Sequence, residues 1–379
     1  MDFELNEDQR ALQDAAAAFA RDELAPHSAH WDEARHFPVD VLKKAAGLGF
    51  AGLYVDEAVG GSGLARLDAA IIFEALAHGD VPVSAFLSIH NMVAWLIDRF
   101  GSDELRGRYL PRLCEMELVA SYCLTEPGAG SDAASLATAA RREGDDYVLT
   151  GAKAFISGGG VSDLYLVMAR TGQPGARGVS AFLVEKDAAG LSFGGQERKM
   201  GWNAQPTAQV NFDGVRVPAA NRVGGEGEGF RYAMAALDGG RLNIAACSLG
   251  GAQLALELAT EQLKTRKQFG RPLQDFQALQ FRLADMATEL EAARLMVRRA
   301  AAALDARSPD ATRLCAMAKR FATDAGFEVA NQALQLHGGY GYLRDLPLER
   351  IVRDLRVHQI LEGTNEIMRV IIARELLRQ

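Results

Sequence analysis

The sequence has few cysteines, and their spacing argues against disulfide and zinc-binding scaffolds. Only four occur in 379 residues, and no two of them form a CxxC pair; they are Cys114, Cys123, Cys247 and Cys315. A disulfide framework or a cysteine zinc site needs paired or closely spaced cysteines. The sequence therefore predicts a protein without disulfides, suited to a reducing compartment.

The sequence also lacks an excess of basic residues and a histidine metal motif, and no leader segment is expected. Its net charge of -8 gives no electrostatic support for nucleic-acid binding. His27, His30 and His36 lie close together, but no HExxH frame accompanies them, so no metal site is expected. The segment Met1–Leu5 is acidic and has neither a signal-peptide core nor a transit-peptide composition. A cytoplasmic, bacterial-like protein is expected.

Long apolar runs are missing as well. No apolar stretch reaches the roughly 18 residues needed to cross a bilayer. The most apolar candidate, residues 245–259, is bounded by Arg241 and Glu261 and is predicted to form a buried helix. We expect no membrane association.

What is present divides into three regions. The chain is long enough for two or three domains, and 49% of its residues are apolar, enough for large cores. Residues 1–120 show helical spacing, residues 121–225 are β-rich, and residues 226–379 return to helical spacing. The β-rich runs, separated by turn signals, predict a small antiparallel sheet or barrel; they are Tyr147–Leu149, Leu164–Met168, Val179–Val184 and Ala208–Phe212. The predicted fold is mainly α with a central β domain.

The third region carries a regular apolar seam. Its members recur in alternating steps of three and four; they are Phe276, Leu279, Leu283, Met286, Leu290, Ala293 and Val297. A seam of this kind requires an apolar partner along its length, so a helix inside a bundle is predicted. Lys264, Arg266 and Lys267 mark the basic end of the preceding helix. The acidic glycine run 224–229 is interpreted as the connector from the β domain.

Glu362 is the most informative single residue. It is a lone carboxylate after Ile360 and Leu361, and Gly363 and Thr364 follow it. Thr364 is a suitable helix cap, and Ile367, Val370 and Ile371 continue with helical spacing. Burial raises the pKa of a carboxylate, whereas a helix N-terminus lowers it, and such a group can act as a base near neutral pH. A surface glutamate in the first helical turn is the alternative.

Two glycine-rich segments lie in or beside the β region. Residues 122–132 supply the hydroxyls of Thr125 and Ser131, while Gly128 and Gly130 permit close approach of a ligand to the backbone. This segment is neither a P-loop nor a Rossmann fingerprint, and a tight turn is the alternative. Residues 155–160 place an aromatic, an aliphatic and a hydroxyl side chain before a glycine run. That segment could hold a planar ring or simply end a strand.

Three further segments lie in the helical region. In residues 335–341, Gly338 could cap a helix in the left-handed conformation, and the glycine run could form an anion nest. Asp238 and Arg241 are three residues apart and could simply pair with each other. Arg266 could bind phosphate in a bidentate manner or act only as a partner for the helix C-terminus.

Taken together, residues 122–132, 266–270, 337–341 and 361–366 resemble the acyl-CoA dehydrogenase family along essentially the whole chain. The resemblance implies an N-terminal helical domain, a middle β domain and a C-terminal four-helix bundle, assembled as a homotetramer. It implies FAD as cofactor, a short branched-chain acyl-CoA as substrate and an electron-transfer flavoprotein as electron acceptor. Bounds of 1–120, 121–225 and 226–379 are predicted for the three domains.

The resemblance also assigns site residues by position. Those expected to line the flavin are Tyr122, Leu124, Thr125, Gly130, Ser131, Phe155, Ile156 and Ser157. Those expected to bind the pyrophosphate and adenosine of an FAD in a neighbouring subunit are Arg266, Phe269, Phe276, Gln277, Gln335, Leu336, Gly338 and Gly339. Thr364 and Glu366 would contact the FAD of their own subunit. The expected contacts to the CoA thioester are Ser131, Asp238, Gly239, Gly240, Arg241 and Arg374.

The same resemblance implies that Glu362 removes the α-proton as general base and that hydride passes from the β-carbon to flavin N5. Two departures from the family pattern stand out. Many relatives carry Trp where this chain has Phe155, and some relatives place the base at the position of Gly240, which has no side chain here. A flavin oxidase of similar build and a non-catalytic acyl-CoA-binding protein are the alternative functions.

Overall fold

The N-terminal region is helical. The structure, a computed structural model, describes residues 4–377. Residues 1–3 and 378–379 lie outside the described residues, and so does that part of the prediction about a leader segment which depends on residues 1–3. The helices of this region are α1 (Glu7–Phe19), α2 (Ser28–Ala34), α3 (Val39–Ala46), α4 (Arg66–Gly79), α5 (Val81–Phe100) and α6 (Asp103–Cys114). A π-helical turn, Ala20–Leu24, continues α1. Asp80 caps α5 by accepting a hydrogen bond from the Val83 N–H.

The middle region is a sheet of eight strands in the order β6-β7-β3-β2-β4-β5-β8, with β1 added beside β4. The strands are β1 (Ala120–Cys123), β2 (Ala139–Glu143), β3 (Asp146–Ser157), β4 (Leu164–Arg170), β5 (Val179–Glu185), β6 (Leu191–Phe193), β7 (Thr207–Pro218) and β8 (Arg222–Val223). All four predicted β-rich runs lie in these strands.

The prediction of an antiparallel sheet was wrong in part, because the sheet is mixed. Strands β1 and β2 both pair with β4 in parallel. The chain leaves β1, forms the β2–β3 hairpin and enters β4 in the same direction as β1, and such a crossover produces parallel neighbours. The remaining pairings are antiparallel.

The C-terminal region is helical again. Its elements are α7 (Gly229–Thr265), the hairpin strands β9 (Lys267–Gln268) and β10 (Arg271–Pro272), α8 (Gln277–Asp305), α9 (Ala311–His337), α10 (Leu348–Arg356) and α11 (Asn365–Leu377). The predicted seam lies on α8, where Met286, Leu290, Ala293 and Val297 are buried in the core shared with α7 and α9. The run 224–229 connects β8 to α7, as predicted.

Helices α5 and α7 correct one expectation. Both are long and apolar enough to cross a membrane by length and composition, although no such stretch was predicted. Most of each helix is buried inside the protein, and both contribute to its hydrophobic cores. Their apolar character is therefore explained by the core that they form.

A largely buried polar cluster joins the three regions. Arg353 of α10 forms an ion pair with Asp32 of α2 at 2.7 Å, and Asn203 of the β region donates to the same carboxylate at 2.9 Å. Next to them, the Trp202 N–H donates to Asp354 at 2.6 Å. Burial raises the pKa of Asp354 to about 8. The relative placement of the three regions therefore depends on specific hydrogen bonds as well as on apolar packing.

Candidate active site

Glu362 lies in a tight turn between α10 and α11. Its backbone has φ +55° and that of Gly363 has φ +88°, so two consecutive residues occupy the left-handed half of backbone space. A non-glycine residue in this region is uncommon and costs about 1 kcal/mol or more. Thr364 then caps α11, because its hydroxyl accepts from the Ile367 N–H at 3.3 Å, as predicted. The turn separates Glu362 from the helix and directs it towards α7.

The carboxylate of Glu362 has no hydrogen-bond partner within residues 4–377. Its Oε2 atom is buried and unpaired. Burial raises the pKa of the group to about 7, against the opposing charges of Arg241 and Lys319. Of the two opposing influences on this pKa that were predicted from the sequence, burial is therefore the larger. A carboxyl group with this pKa exchanges a proton near neutral pH, as a general base must.

Gly240 of α7 makes room for this carboxylate. A Cβ atom at position 240 would lie 2.6 Å from Glu362 Oε2 and 3.0 Å from its Cδ. Real Cβ atoms essentially never approach another atom this closely. Any side chain at position 240 would therefore overlap the Glu362 carboxylate in its observed orientation.

Tyr122 faces the same space from β1. Its hydroxyl is buried and also lacks a hydrogen-bond partner among the residues that the structure describes. Burial raises the pKa of Tyr122 well above its ordinary value, and the nearby Glu362 carboxylate raises it further. Buried polar atoms are nearly always paired in folded proteins. Two such atoms, in groups close enough for the charge of one to shift the pKa of the other, indicate a site that is completed by a ligand.

Asp238 and Arg241 pair with each other, as one interpretation of the sequence predicted. Arg241 Nη1 donates to Asp238 Oδ1 at 2.7 Å, and Thr312 Oγ1 donates to Asp238 Oδ2 at 2.7 Å. Arg241 Nε also donates to the backbone carbonyl of Glu362 at 3.3 Å. Asp238 and Arg241 are both buried. Their predicted contact with a CoA thioester stays a prediction.

Lys319 on α9 was not predicted from the sequence. Its Nζ donates to the Gly363 carbonyl at 2.8 Å and to Asn365 Oδ1 at 2.9 Å. The side chain is fully buried. One signal was present in the sequence, because Lys319 lies four residues after Cys315 and three before Ala322 on the apolar stripe of its helix. A charge at such a position indicates a buried partner.

Phe155 is an exposed aromatic residue among those predicted to line the flavin. It lies in a bulge of β3, where the register against β7 shifts between Lys153 and Ile156. Its φ is +57°, and 68% of the residue is exposed. Bulges direct side chains away from the sheet and concentrate near functional sites. Ser157, two residues on, accepts a hydrogen bond from Gln205 Nε2 at 3.0 Å.

A buried ion pair shapes the 122–132 segment. Lys153 Nζ donates to Glu126 Oε1 at 2.7 Å and to the Leu124 carbonyl at 3.0 Å. Glu126 in turn accepts from the N–H groups of Ala137 and Thr138. This pair was not predicted from the sequence. Ser131 and Gly130 lie on the exposed part of the segment, and the space beside Gly130 is open.

The remaining predicted cofactor residues form a second, separate group. The Arg266 guanidinium lies over the Tyr340 ring at 5.7 Å, which brings the end of α7 to the end of α9. Phe269 at the tip of the β9–β10 hairpin is 92% exposed, and its ring contacts that of Phe276 at 6.1 Å. Four other members of this group are exposed, namely Gln277, Gln335, Gly338 and Gly339, whereas Leu336 is buried. Within residues 4–377, no hydrogen bond, ion pair or ring contact joins this group to Glu362.

The geometry of Gly338 corrects one detail. It has φ +59° but ψ -137°, so it ends α9 without the left-handed helical cap that was predicted. A short 3-10 helix, Gly338–Tyr342, follows immediately and requires this different turn. On α11, Glu366 is exposed in the first turn, and Arg374 is exposed with its Nε 3.3 Å from Glu375. Their predicted ligand contacts stay predictions.

Three domain families match the chain in order. They are the N-terminal domain of acyl-CoA dehydrogenase over residues 6–117, the middle domain over residues 121–215 and the C-terminal domain over residues 227–377. The chain belongs to the acyl-CoA dehydrogenase family. It is therefore an oxidoreductase enzyme, and the resemblance seen in the sequence and the predicted fold class are confirmed.

The chain is also similar to individual proteins of known name. It is 59% identical to the mitochondrial isobutyryl-CoA dehydrogenase of Bos taurus, covering 99% of this chain and 90% of that protein. The corresponding protein of Dictyostelium discoideum is 58% identical, with coverage of 98% and 90%. Among solved structures, the butyryl-CoA dehydrogenase of Megasphaera elsdenii is 39% identical with a TM-score of 0.97. An FAD complex of PigA is 34% identical with a TM-score of 0.97, and both matches cover each chain completely.

Proposed function

We propose that the protein is an FAD-dependent dehydrogenase of a short branched-chain acyl-CoA, and that it converts isobutyryl-CoA to methacrylyl-CoA. The identity of 59% and 58% to two isobutyryl-CoA dehydrogenases over almost the whole chain supports this substrate. A pocket discriminates against one extra methylene by only about 1–3 kcal/mol. Butyryl-CoA and 2-methylbutyryl-CoA are therefore the competing substrates to be measured beside it.

The observation that carries the reaction type is the unpaired Glu362 carboxylate. The α-proton of a thioester is weakly acidic, so its removal requires a base and stabilisation of the developing charge. Glu362 supplies the base, since its buried carboxylate has a pKa of about 7 and no internal partner within residues 4–377. The backbone N–H of Glu362 makes no hydrogen bond inside the described structure. It is a suitable donor to an enolate oxygen.

The residues present fit FAD. The chain supplies an exposed aromatic ring on a bulged strand, a glycine segment with open space beside it, and a buried, unpaired Tyr122 hydroxyl that interacts electrostatically with the base. When bound, FAD supplies the acceptor for the hydride from the β-carbon. Phe155, Ile156 and Ser157 would support its ring, and Glu366 would lie beside it at the start of α11. Gly338 and Gly339, with Arg266, would bind the diphosphate of an FAD held by a neighbouring subunit.

That division of the binding residues supports a homo-oligomer. Within residues 4–377, no hydrogen bond, ion pair or ring contact joins the predicted diphosphate-binding group to Glu362, which supports one chain supplying two separate parts of a site. A homotetramer in the cytoplasm, with an electron-transfer flavoprotein as acceptor, completes the proposal. A solved structure named for an electron-transferring flavoprotein of Acidaminococcus fermentans contains a chain 43% identical to this one with a TM-score of 0.97, and this supports a partner of that kind.

The decisive experiment is the variant Glu362→Gln. We expect the purified variant to be yellow, to bind acyl-CoA and to fail to bleach the flavin when mixed anaerobically with isobutyryl-CoA, because an amide cannot accept the α-proton. Wild-type protein should bleach under the same conditions, and most completely with the branched C4 substrate among a panel of C4 and C5 acyl-CoAs. Rapid bleaching of the variant would refute the assignment of the base.

A second measurement separates the dehydrogenase from an oxidase. Wild-type enzyme turning over in air should reduce an electron-transfer flavoprotein and produce little peroxide. Stoichiometric peroxide without reduction of that protein would favour the oxidase. A protein that binds acyl-CoA and FAD without any bleaching would be a binding protein instead.

A further inference from the structure

The turn that carries Glu362 is attached to the bundle by two cations. The carbonyl of Glu362 accepts from Arg241 Nε of α7 at 3.3 Å, and the carbonyl of Gly363 accepts from Lys319 Nζ of α9 at 2.8 Å. These are consecutive carbonyl groups of a turn in which both residues have positive φ. Arg241 and Lys319 therefore constrain the turn from two different helices.

Lys319 is the less expected of the two. Arg241 is paired with Asp238, but no carboxylate lies within ion-pair distance of Lys319 in the part of the chain that the structure describes. Burial of an ammonium group without a paired carboxylate costs several kcal/mol. The adjoining positions on this stripe, Cys315 and Ala322, are small and apolar. Packing alone therefore gives no reason for a charge at position 319.

We propose that Lys319 is a positioning residue for Glu362, which fixes the left-handed turn through the Gly363 carbonyl and supplies a positive charge beside the buried carboxylate. The consequence for turnover rests on the proposed function. The effect on the turn and on the ionisation of Glu362 does not depend on that function.

The charged and titratable groups around Glu362 come from three elements. Helix α7 contributes Arg241 with its partner Asp238, β1 contributes Tyr122, and α9 contributes Lys319. Burial raises the pKa of Glu362, and two cations lower it; the effect of Arg241 is the larger, followed by that of Lys319. Burial lowers the pKa of Lys319 to about 8. The Glu362 carboxylate favours its charged form, Arg241 opposes it, and Asp324 of α9 and Glu366 of α11 favour it to a smaller extent. The carboxylate and the ammonium thus stabilise each other's charge across the turn.

Two substitutions separate the hydrogen bond from the charge. Lys319→Gln retains N–H donors for the Gly363 carbonyl but carries no charge, whereas Lys319→Met retains the length and loses both. Loss of a nearby opposite charge shifts a carboxyl pKa upwards by about one unit or more. We therefore expect the acid limb of the flavin-reduction rate to move up by about one pH unit in both variants. A shift from about 7 to about 8 lowers the rate at pH 7 about fivefold.

The plateau of the rate at alkaline pH reports on positioning. There Glu362 is ionised in all forms, so a difference reflects geometry. We expect the Gln variant to stay within about threefold of wild type and the Met variant to fall at least about tenfold, because a displacement of the base by about 1 Å costs on the order of a hundredfold. The KM should change little, since no group that contacts the acyl-CoA is replaced.

Lys199→Met is the matched control. Lys199 is also a mostly buried lysine whose pKa burial lowers to about 8, and it donates to the Gln205 carbonyl and to Thr207 Oγ1. These partners lie in the β region, and Lys199 does not contribute to the charge around Glu362. Its removal should destabilise the protein without moving the acid limb.

A readout without turnover completes the test. The infrared carbonyl band of protonated Glu362, isolated by subtraction of the Glu362→Gln spectrum, should titrate near pH 7 in wild-type holoenzyme and about one unit higher in both Lys319 variants. A midpoint common to wild type and both variants would overturn the proposal, and so would a Met variant with the wild-type plateau rate. If the Met variant does not fold, the Gln midpoint decides alone. Absence of bleaching in wild type would refute the proposed function and leave this titration valid.

Discussion

The close approach of Gly240 to Glu362 permits a quantitative prediction for Gly240→Ala. The added Cβ would lie 2.6 Å from Glu362 Oε2, whereas ordinary contact begins at 3.4 Å. The shortfall of 0.8 Å must be taken up by the carboxylate or by the backbone of α7. The carboxylate belongs to a single side chain in a turn, and the Gly240 backbone belongs to a helix of 37 residues. The carboxylate is therefore the part that moves.

The expected loss follows from that displacement. A misplacement of about 1 Å in a catalytic group costs on the order of a hundredfold in rate. A movement of 0.8 Å therefore predicts a decrease in the flavin-reduction rate of between about tenfold and a hundredfold, equivalent to about 1.4–2.7 kcal/mol in the barrier. The fold should persist, because alanine is preferred over glycine inside a helix by about 1 kcal/mol.

The assay is anaerobic stopped-flow reduction of the bound flavin by isobutyryl-CoA, well above pH 7 so that Glu362 is ionised in every sample. Gly107→Ala is the matched control, because Gly107 also lies in a helix, α6, and has open space at its Cβ position. The control should reduce at the wild-type rate. If Gly240→Ala also reduces at that rate, then Glu362 does not act from the orientation seen here.

Two further predictions concern stability and cofactor retention. The folded-state pKa of Glu362, about 7, lies above the ordinary value of 4.5, so the folded protein binds this proton more tightly than the unfolded chain does. The stability that this proton contributes is fully present below about pH 4.5 and is lost as the pH rises through about 7. Across this window, thermal melts should show the free energy of unfolding of Glu362→Gln increasing relative to that of wild type, by at most about 3 kcal/mol. Phe155→Gly should leave the apoprotein within about 1 kcal/mol of wild type, since relief of the positive φ offsets the entropy of glycine, and yet reduce the FAD retained on gel filtration. A difference in melting temperature between Glu362→Gln and wild type that stays constant from pH 4 to 8 would contradict the first prediction. Full retention of FAD by Phe155→Gly would contradict the second.

Periodicity and local chemistry were sufficient to predict much of the fold. The seam from Leu279 to Val297 specified a buried face of α8, and the Thr364 cap specified the start of α11. Both are local signals, because the residues concerned lie within a few helical turns of one another. The parallel pairing of β1 with β4 was not predictable in this way, since it joins residues such as Ala120 and Leu164, which are distant in sequence.

The same distinction applies to the site. The local sequence of Glu362 left a buried base and a surface glutamate open, and the family resemblance favoured the base. Lys319 and the Lys153–Glu126 pair were not recognised, because their significance depends on partners 44 and 27 residues away. Residues that hold a site in place from another element carry little local signal. The exception is a charge on an apolar helical stripe, and Lys319 is such a charge.

The cost of the Glu362 site explains why its supports are buried. An unpaired carboxylate in an apolar setting and a left-handed glutamate backbone both destabilise the folded state. A carboxylate that accepted hydrogen bonds from Arg241 or Lys319 would be more stable, but its pKa would fall and it would be a weaker base. Both cations instead donate to the carbonyls of Glu362 and Gly363. This arrangement constrains the turn and leaves the carboxylate oxygen without a hydrogen bond inside residues 4–377, as the proposed role of Glu362 as a base requires.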